Sequence, residues 1–230
     1  MSVLERYYRI SDWSMGSLYQ GAYVVRGCMS DVRVPVFYGT VSLNPLEYTS
    51  FTSGQIEWIV QDPDELERFR RNYIDLFDAA GLLNGIAGMS PCTGDARFYF
   101  AQARLMMLST ASIARNTFDP SGCLQLALMA AELSLKGCLI DDGVQEDDLK
   151  KIYGHNLVKI VRSLDDKPSL FNRSVLEDKT DQLPTLMDVR YGNKIYDVYE
   201  VGDCIMACQS IIGSSSRYVA NTSLIDNFLP

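Results

Sequence analysis

Histidine is almost absent from this chain of 230 residues; His155 is the only one. That scarcity excludes a histidine-rich metal centre and leaves acid–base work near neutral pH to a single imidazole. The 6 cysteines include no CxxC pair. Most lie in stretches that read as buried helix, where Cys acts as a small hydrophobe, so free thiols are expected. Cys204 and Cys208, four apart, would reach a metal only together with His155, and zinc asks for three or four ligands at recognisable spacings. Neither a metal nor a cofactor is expected.

Long apolar runs are missing as well. No stretch approaches the roughly 18–20 apolar residues that cross a bilayer. The N-terminus MSVLERYYRISDW lacks the basic-then-apolar order of a signal peptide. The expectation is a cytoplasmic protein with no membrane partner. Positive charge is also short: 21 Lys and Arg against 29 Asp and Glu give −8 and a pI near 4.7. Broad attraction to nucleic acid is thereby excluded, while a local basic patch stays open. The run DDGVQEDDL, residues 141–149, reads as a solvated turn between helices.

What is present describes a globular chain, with 47% hydrophobic and 22% charged residues. Residues 1–62 are rich in Tyr, Val, Gly and Ser, and AYVVRG, RVPVFYGTVSL and QIEWIVQ read as two or three short strands. At Asp62 and Pro63 the regime changes: a cap, a proline at the first helical position, acids in the first turn, then apolar residues at helical spacing. The fold expected is mainly α, an antiparallel helical bundle over residues 63–230 with a small β-containing extension over residues 1–62.

Within the bundle, GIAGMSPCTGD (85–95) breaks the pattern before RFYFAQARLMMLSTASIARNTF resumes it. Asp119 and Pro120 repeat the cap-and-proline signal. The helix that follows carries Leu124, Leu128, Ala131, Leu135 and Leu139 every three or four residues, and Gly143 ends it. A short helix near 145–153 leads to an amphipathic one bearing Leu157, Ile160, Val161 and Leu164. SLFNRSVLEDKTDQL reads as helix up to Pro184, and residues 189–201 as turn-like and then extended. The closing helix, about 200–214, sends Ile205, Cys208, Ile211 and Ile212 inward, with a loosely held tail from Ser214.

Glu132 and Lys136 lie four apart in the most apolar helix, with the acid on the N-terminal side that favours an ion pair. Charges kept on a buried helix need partners. His155 and Arg190 are the candidate partners for Glu132. Gly154 and His155 open the helix whose first residues are Asn156 and Leu157.

The ordered stretches AAELSLKGCLIDDG, YGHNLVKIV and LMDVRYG, followed by a closing helix, resemble the HEPN superfamily over about residues 97–214. Its members carry a Glu-x-x-x-Lys helix, a Gly-His-Asn/Asp-Leu helix start and a later Arg-Tyr. The resemblance implies a helical bundle, commonly a homodimer, that in many relatives is a metal-independent endoribonuclease. In others it binds nucleotides or serves as a noncatalytic partner, often in prokaryotic defence or toxin–antitoxin systems. Catalytic relatives place a His a few residues after the Arg. Here RYGNKIY has Tyr191 next to Arg190 and Tyr196 at the sixth place, with no histidine; RNTF, at Arg115 and Asn116, has none either.

RNA cleavage without a metal needs a base for the 2′-OH and an acid for the leaving oxygen, and Tyr, with a pKa near 10, is a poor base at pH 7. Three roles stay open for His155: capping or orienting its helix, binding phosphate, or acid–base catalysis. Arg190 is either a structural partner of Glu132 or an anion clamp. The sequence offers no GxSxG, Walker loop, HExxH or dinucleotide fingerprint. Two functions follow as expectations. One is a noncatalytic dimeric module that contacts RNA, a nucleotide or a protein through Glu132, Lys136, Asn156, Tyr191 and Tyr196. The other is a divergent ribonuclease using His155 and Arg190.

Overall fold

A computed structural model describes residues 17–35, 43–83, 92, 94–116 and 120–223. The protein is mainly helical, with one two-stranded antiparallel sheet near the N-terminus. Strands β1 (Ser17–Val25) and β2 (Cys28–Pro35) are joined by Arg26 and Gly27, both at positive φ, 46° and 75°. Two left-handed residues in succession give the tight turn whose twist matches the strands. The remainder of RVPVFYGTVSL beyond Pro35 falls partly outside the described residues.

Helix α1 (Ser53–Gln61) replaces the expected strand at QIEWIVQ. Its start is a capping box: Thr52 accepts from the Gln55 amide while the Gln55 side chain accepts from the Thr52 amide. Helix α2 (Pro63–Leu83) begins as expected, with Asp62 Oδ1 accepting from the amides of Asp64 and Glu65 at 3.1 and 3.3 Å. Helix α3 is Gly94–Asn116, and the side chains of Arg115 and Asn116 lie outside the described residues. Pro120 opens a 3-10 turn, Pro120–Cys123, and α4 (Leu124–Asp141) starts after it; Asp119, the expected cap, is also outside the described residues.

Gly143, at φ 92°, closes α4 as expected. The Val144 amide reaches Leu139 O and the Gly143 amide reaches Ile140 O, so orphan carbonyls are satisfied across a left-handed glycine. Short helix α5 (Glu146–Asp148) runs into a π-helical turn, Leu149–Tyr153. Helices α6 (Leu157–Ser163), α7 (Arg173–Gln182) and α8 (Leu186–Tyr191) follow. The closing helix α9 is Val198–Ala220.

Two expectations about the C-terminal part are corrected. Residues 198–201 are helical rather than extended, because Asp197 and Glu200 form a capping box that starts α9 early. Up to Ser223 the stretch after Ser214 is not loose, and the rest of the tail lies outside the described residues. Helix α9 continues to Ala220, and Ser214, Ser215, Ser216 and Tyr218 are buried. Small residues let α9 approach α2 closely: a Cβ on Gly213 would stand 2.7 Å from Asp75 Cα.

The core explains the arrangement. Helix α4 lies between α3 and α9, and α9 also packs on α2. All five apolar residues of its predicted stripe are buried. Ser121–Asp141 is long and apolar enough by composition to cross a membrane, contrary to the sequence expectation, but 67% of its apolar window is buried inside the bundle. The hairpin covers α2, α3 and α9, and its inner residues Ala22, Tyr23, Val24, Val32 and Val34 join the same buried cluster as the helices. Buried Gln209 of α9 fastens it, accepting from Ala22 N at 2.7 Å and donating to Ala22 O at 2.9 Å, so a helix side chain satisfies a strand edge. Of the run expected as a solvated turn, residues 142–145 form it, while residues 146–148 are α5 and Leu149 is buried; Asp142 accepts from the Tyr218 hydroxyl at 2.6 Å.

Candidate functional site

Glu132 sits in the middle of α4, and its carboxylate is drawn to two partners. Lys136, one turn on, donates from Nζ to Oε1 at 2.7 Å, with the two side chains 11% and 10% exposed. His155 Nδ1 stands 3.0 Å from Oε1 and 2.9 Å from Oε2. The acid therefore holds a cation on its own helix and an imidazole from another segment.

The backbone delivers His155 there. The π-helical turn at Leu149–Tyr153 shifts the chain off α-helical register, and Gly154 then turns it at φ 54°, ψ −122°, a region closed to L side chains on steric grounds. No side chain stands within 4 Å of where a Gly154 Cβ would be, so the constraint is torsional, not spatial. Asn156 ends the turn as the N-cap of α6, its Oδ1 accepting from Lys159 N at 2.9 Å. This corrects one reading of His155: the cap is Asn156, and the imidazole is free to reach Glu132. Lys159 braces the turn by donating to Ile152 O at 2.6 Å.

His155 is 60% exposed although its partner is buried. With Nδ1 on the carboxylate, Nε2 lies on the far side of the ring, toward solvent. It borders a cavity of about 390 Å³ whose wall also includes Leu128, Asn156, Thr180, Asp181 and Leu186. Lys136 already balances the charge of Glu132, so a neutral imidazole leaves the trio electrically neutral and a protonated one leaves it positive. A fixed imidazole with one free nitrogen can donate to an anion or exchange a proton with a bound group. Thr180, the buried hydroxyl of this wall, is committed to Leu176 O at 2.8 Å and is not poised as a nucleophile.

Arg190 does not join Glu132. It is exposed near the end of α8, with its guanidinium 5.4 Å from the Tyr191 ring centroid, and among the described residues it makes no ion pair. Glu132 takes its partners from α4 and from the turn before α6, while Arg190 stands exposed on α8. Leu186 lines the His155 cavity, whereas Arg190, about 6 Å further along α8 in axial rise, is not part of its wall. Tyr191 is 69% exposed. Tyr196 is half-buried and belongs to a different cavity, of about 650 Å³, where Lys194 Nζ lies 4.7 Å from its ring centroid. Thus Glu132, Lys136, His155 and Asn156 come together, while Arg190, Tyr191 and Tyr196 stand apart from them.

Cys204 and Cys208 are buried a turn apart on α9, and no group of three His, Cys, Asp or Glu able to hold a metal occurs among the described residues. Sequence reasoning missed a second polar cluster. Arg217 donates to Asp75 at 2.8 Å and to Asp78 at 2.9 Å, and Ser223 also reaches Asp78 at 2.9 Å. Burial raises the Asp75 carboxyl above its ordinary range, offset in part by the charge and hydrogen bond of Arg217. The available signal was the pair of acids within the apolar run of α2. No family model, no curated protein and no solved structure matches this chain.

Proposed function

We propose that this protein is a noncatalytic, HEPN-like helical module, a homodimer in the cytoplasm of a prokaryotic defence or stress system, that grips a phosphate of RNA or of a nucleotide. The observation that carries the reading is the contact of buried Glu132 with His155. It joins two of the three motif stretches on which the family resemblance rests, and it leaves the imidazole exposed. With a net charge of −8, binding depends on a few placed donors, not on a broad basic surface. His155 supplies one donor, and Arg190, one helical turn along α8 from the wall residue Leu186, supplies a planar fork suited to phosphate.

The noncatalytic form is favoured because strand cleavage needs an acid and a base at once. The cavity beside His155 has no second imidazole, and Tyr196 lies outside its wall. A second reading, a divergent metal-independent ribonuclease with His155 as acid or base and Arg190 on the scissile phosphate, is favoured by one feature: a carboxylate behind Nδ1 with Nε2 open is the posture of a general base.

Fluorescence anisotropy of a labelled single-stranded RNA in EDTA, followed by a denaturing gel, separates the two. The proposal expects saturable binding, an intact strand, and about tenfold weaker affinity for His155→Ala and Arg190→Ala with unchanged circular dichroism. Cleavage by the parent that disappears in both variants would move the conclusion to the ribonuclease. Absence of binding to RNA and to mononucleotides would overturn both.

A further inference from the structure

Lys179 of α7 is the one lysine bordering three adjoining cavities, of about 650, 520 and 420 Å³, in the cleft that α7 forms with α2 and α9. Its surroundings are unusual in their charge pairing. Most carboxylates bordering these cavities have cations: Glu67 is paired with Arg71 at 2.8 Å, Asp203 with Arg68 at 2.6 Å, Asp75 with Arg217 at 2.8 Å and Glu200 with Lys194 at 2.7 Å, whereas Asp64 and Asp188 make no ion pair among the described residues. Among the described residues no carboxylate stands within ion-pair distance of Lys179 Nζ. Its hydrogen-bond partner is the hydroxyl of Ser210, which in turn bonds the Asp75 carboxylate. A half-buried ammonium held by one neutral hydroxyl keeps N–H donors that no further protein acceptor among the described residues takes.

A second, independent feature borders the same 520 Å³ cavity. Asn72 of α2 is 94% buried by its 6% exposure, and its Oδ1 is buried without a hydrogen-bond partner. A buried amide left unpaired is rare, since each missing hydrogen bond costs desolvation that nothing returns. Asn72 and Lys179 come from different helices and line one space together with Gln182 and Ser210. Burial, with Arg217 and Arg71 nearby, lowers the Lys179 ammonium pKa, opposed by Asp75; an anion arriving beside it would reverse that penalty.

We propose that the cleft between α2, α7 and α9 is a binding site for a small organic anion, whose carboxylate or phosphate accepts from Lys179 and whose polar body hydrogen-bonds the Asn72 amide. The 520 Å³ space that Lys179 and Asn72 share suits a ligand of metabolite size, for which cavities run from roughly 300 to 1,000 Å³. This site meets the His155 cavity at Leu183 and Pro184, but its donors Lys179 and Asn72 lie outside that cavity's wall, so it stands whether or not that cavity binds RNA.

The test uses the full chain carrying ¹⁵N-labelled lysine, with the Lys179 amine signal assigned through Lys179→Arg. Inorganic phosphate and acetate are titrated in parallel, with chloride at equal ionic strength as the control. The expected result is a saturable shift of the Lys179 signal with one anion or both, which identifies the headgroup, while exposed Lys150 and Lys151 respond only linearly. Lys179→Gln should weaken the same anion about tenfold or more by calorimetry, and Asn72→Leu should weaken a ligand carrying an amide beside its anion, N-acetylglycine, more than it weakens acetate. Asn72→Ser takes that role should the leucine variant not fold. A Lys179 signal that moves no differently in phosphate, acetate and chloride would overturn the proposal, as would binding unchanged in Lys179→Gln.

Discussion

Replacing Glu132 by Gln keeps the shape of the side chain and removes its charge, so it isolates what the carboxylate does for the fold. Lys136 is then a cation 11% exposed, with an amide oxygen in place of a carboxylate 2.7 Å away. Removing one member of a buried ion pair costs about 3–5 kcal/mol, chiefly because the other is left uncompensated. Because Gln retains an acceptor, the lower end, about 3 kcal/mol, is expected, a fall in Tm of about 6–12 °C for a chain of this size. Lys136→Met strands the acid instead, but His155 remains as its partner, so about 2 kcal/mol is expected. The double variant Glu132→Leu with Lys136→Met buries no charge and should lie within about 1 kcal/mol of the parent. His155→Ala should cost about 1 kcal/mol or less, because the imidazole is 60% exposed and water replaces much of what it gives. Urea unfolding followed by circular dichroism measures all four. A double variant destabilised by the sum of the two single losses would show that the charges are not coupled, and the account of α4 would be wrong.

Three further outcomes follow from packing and ionisation. Native alkylation should modify Cys28 first, since it is only half-buried and the other cysteines are buried, with the thiols of Cys138 and Cys208 held well above the ordinary range; intact-mass spectrometry that finds Cys138 labelled in the folded chain would contradict this. Gly202→Ala would place a Cβ 2.2 Å from Val24 Cγ1 and should cost about 1–3 kcal/mol, with Val24→Ala restoring part of it, measured by Tm. Lys179 has a folded ammonium pKa below its unfolded one, so the unfolded state binds more protons between the two values and stability must rise with pH across that window. Below the window Lys179→Met should therefore be the more stable chain, and its advantage should shrink as pH climbs toward 10.4; an advantage that grows instead would reverse the sign.

The helical plan was readable where one local rule governed the outcome. Asp62 and Pro63 announce α2 by cap chemistry alone, and the apolar spacing from Leu124 to Leu139 marks the helix at the centre. At QIEWIVQ two rules competed. Its β-branched and aromatic residues suggest a strand, yet Thr52 and Gln55 form the three-residue-spaced capping box that starts a helix. The cap decides, because α1 has an exposed face and packs on α2 through few residues. The serines after Gly213 misled for a related reason. They are polar by type, but they are small enough to pack, and Ser216 returns its hydroxyl to Ile212 O at 2.8 Å while Ser214 accepts from Arg217 at 3.0 Å; the buried Ser215 hydroxyl has no such partner.

The site divides along the same line. Glu132 with Lys136 is an i,i+4 pair and needs no tertiary knowledge, whereas the Arg217 bond to Asp75 spans 142 residues of sequence and leaves no local trace. Between these lies His155, which could be connected to Glu132 only through the ordered motifs, not through spacing. The motifs point Arg190 to the same acid as well, but it stands exposed near the end of the short helix α8, and no local pattern reveals which way that helix turns its last residues.

The posture of His155 carries one more consequence. Three separate devices fix this ring: the π-helical turn before it, the positive φ of Gly154, and the buried carboxylate behind it. A ring that is 60% exposed contributes little to stability, so this much positioning is not accounted for by the fold alone. Gly154→Ala separates the two uses of the segment. At φ 54°, ψ −122° an alanine is strained by about 1–3 kcal/mol, and since nothing lies within 4 Å of its Cβ the chain can relax by letting the turn open. The imidazole then leaves Glu132, while Lys136 keeps the acid paired. The expected result is a modest loss in urea midpoint together with a loss of RNA affinity equal to that of His155→Ala. Affinity that falls no further than the lost stability accounts for, with the His155 ring still protected in the variant, would mean that the ring serves only to hold two helices together.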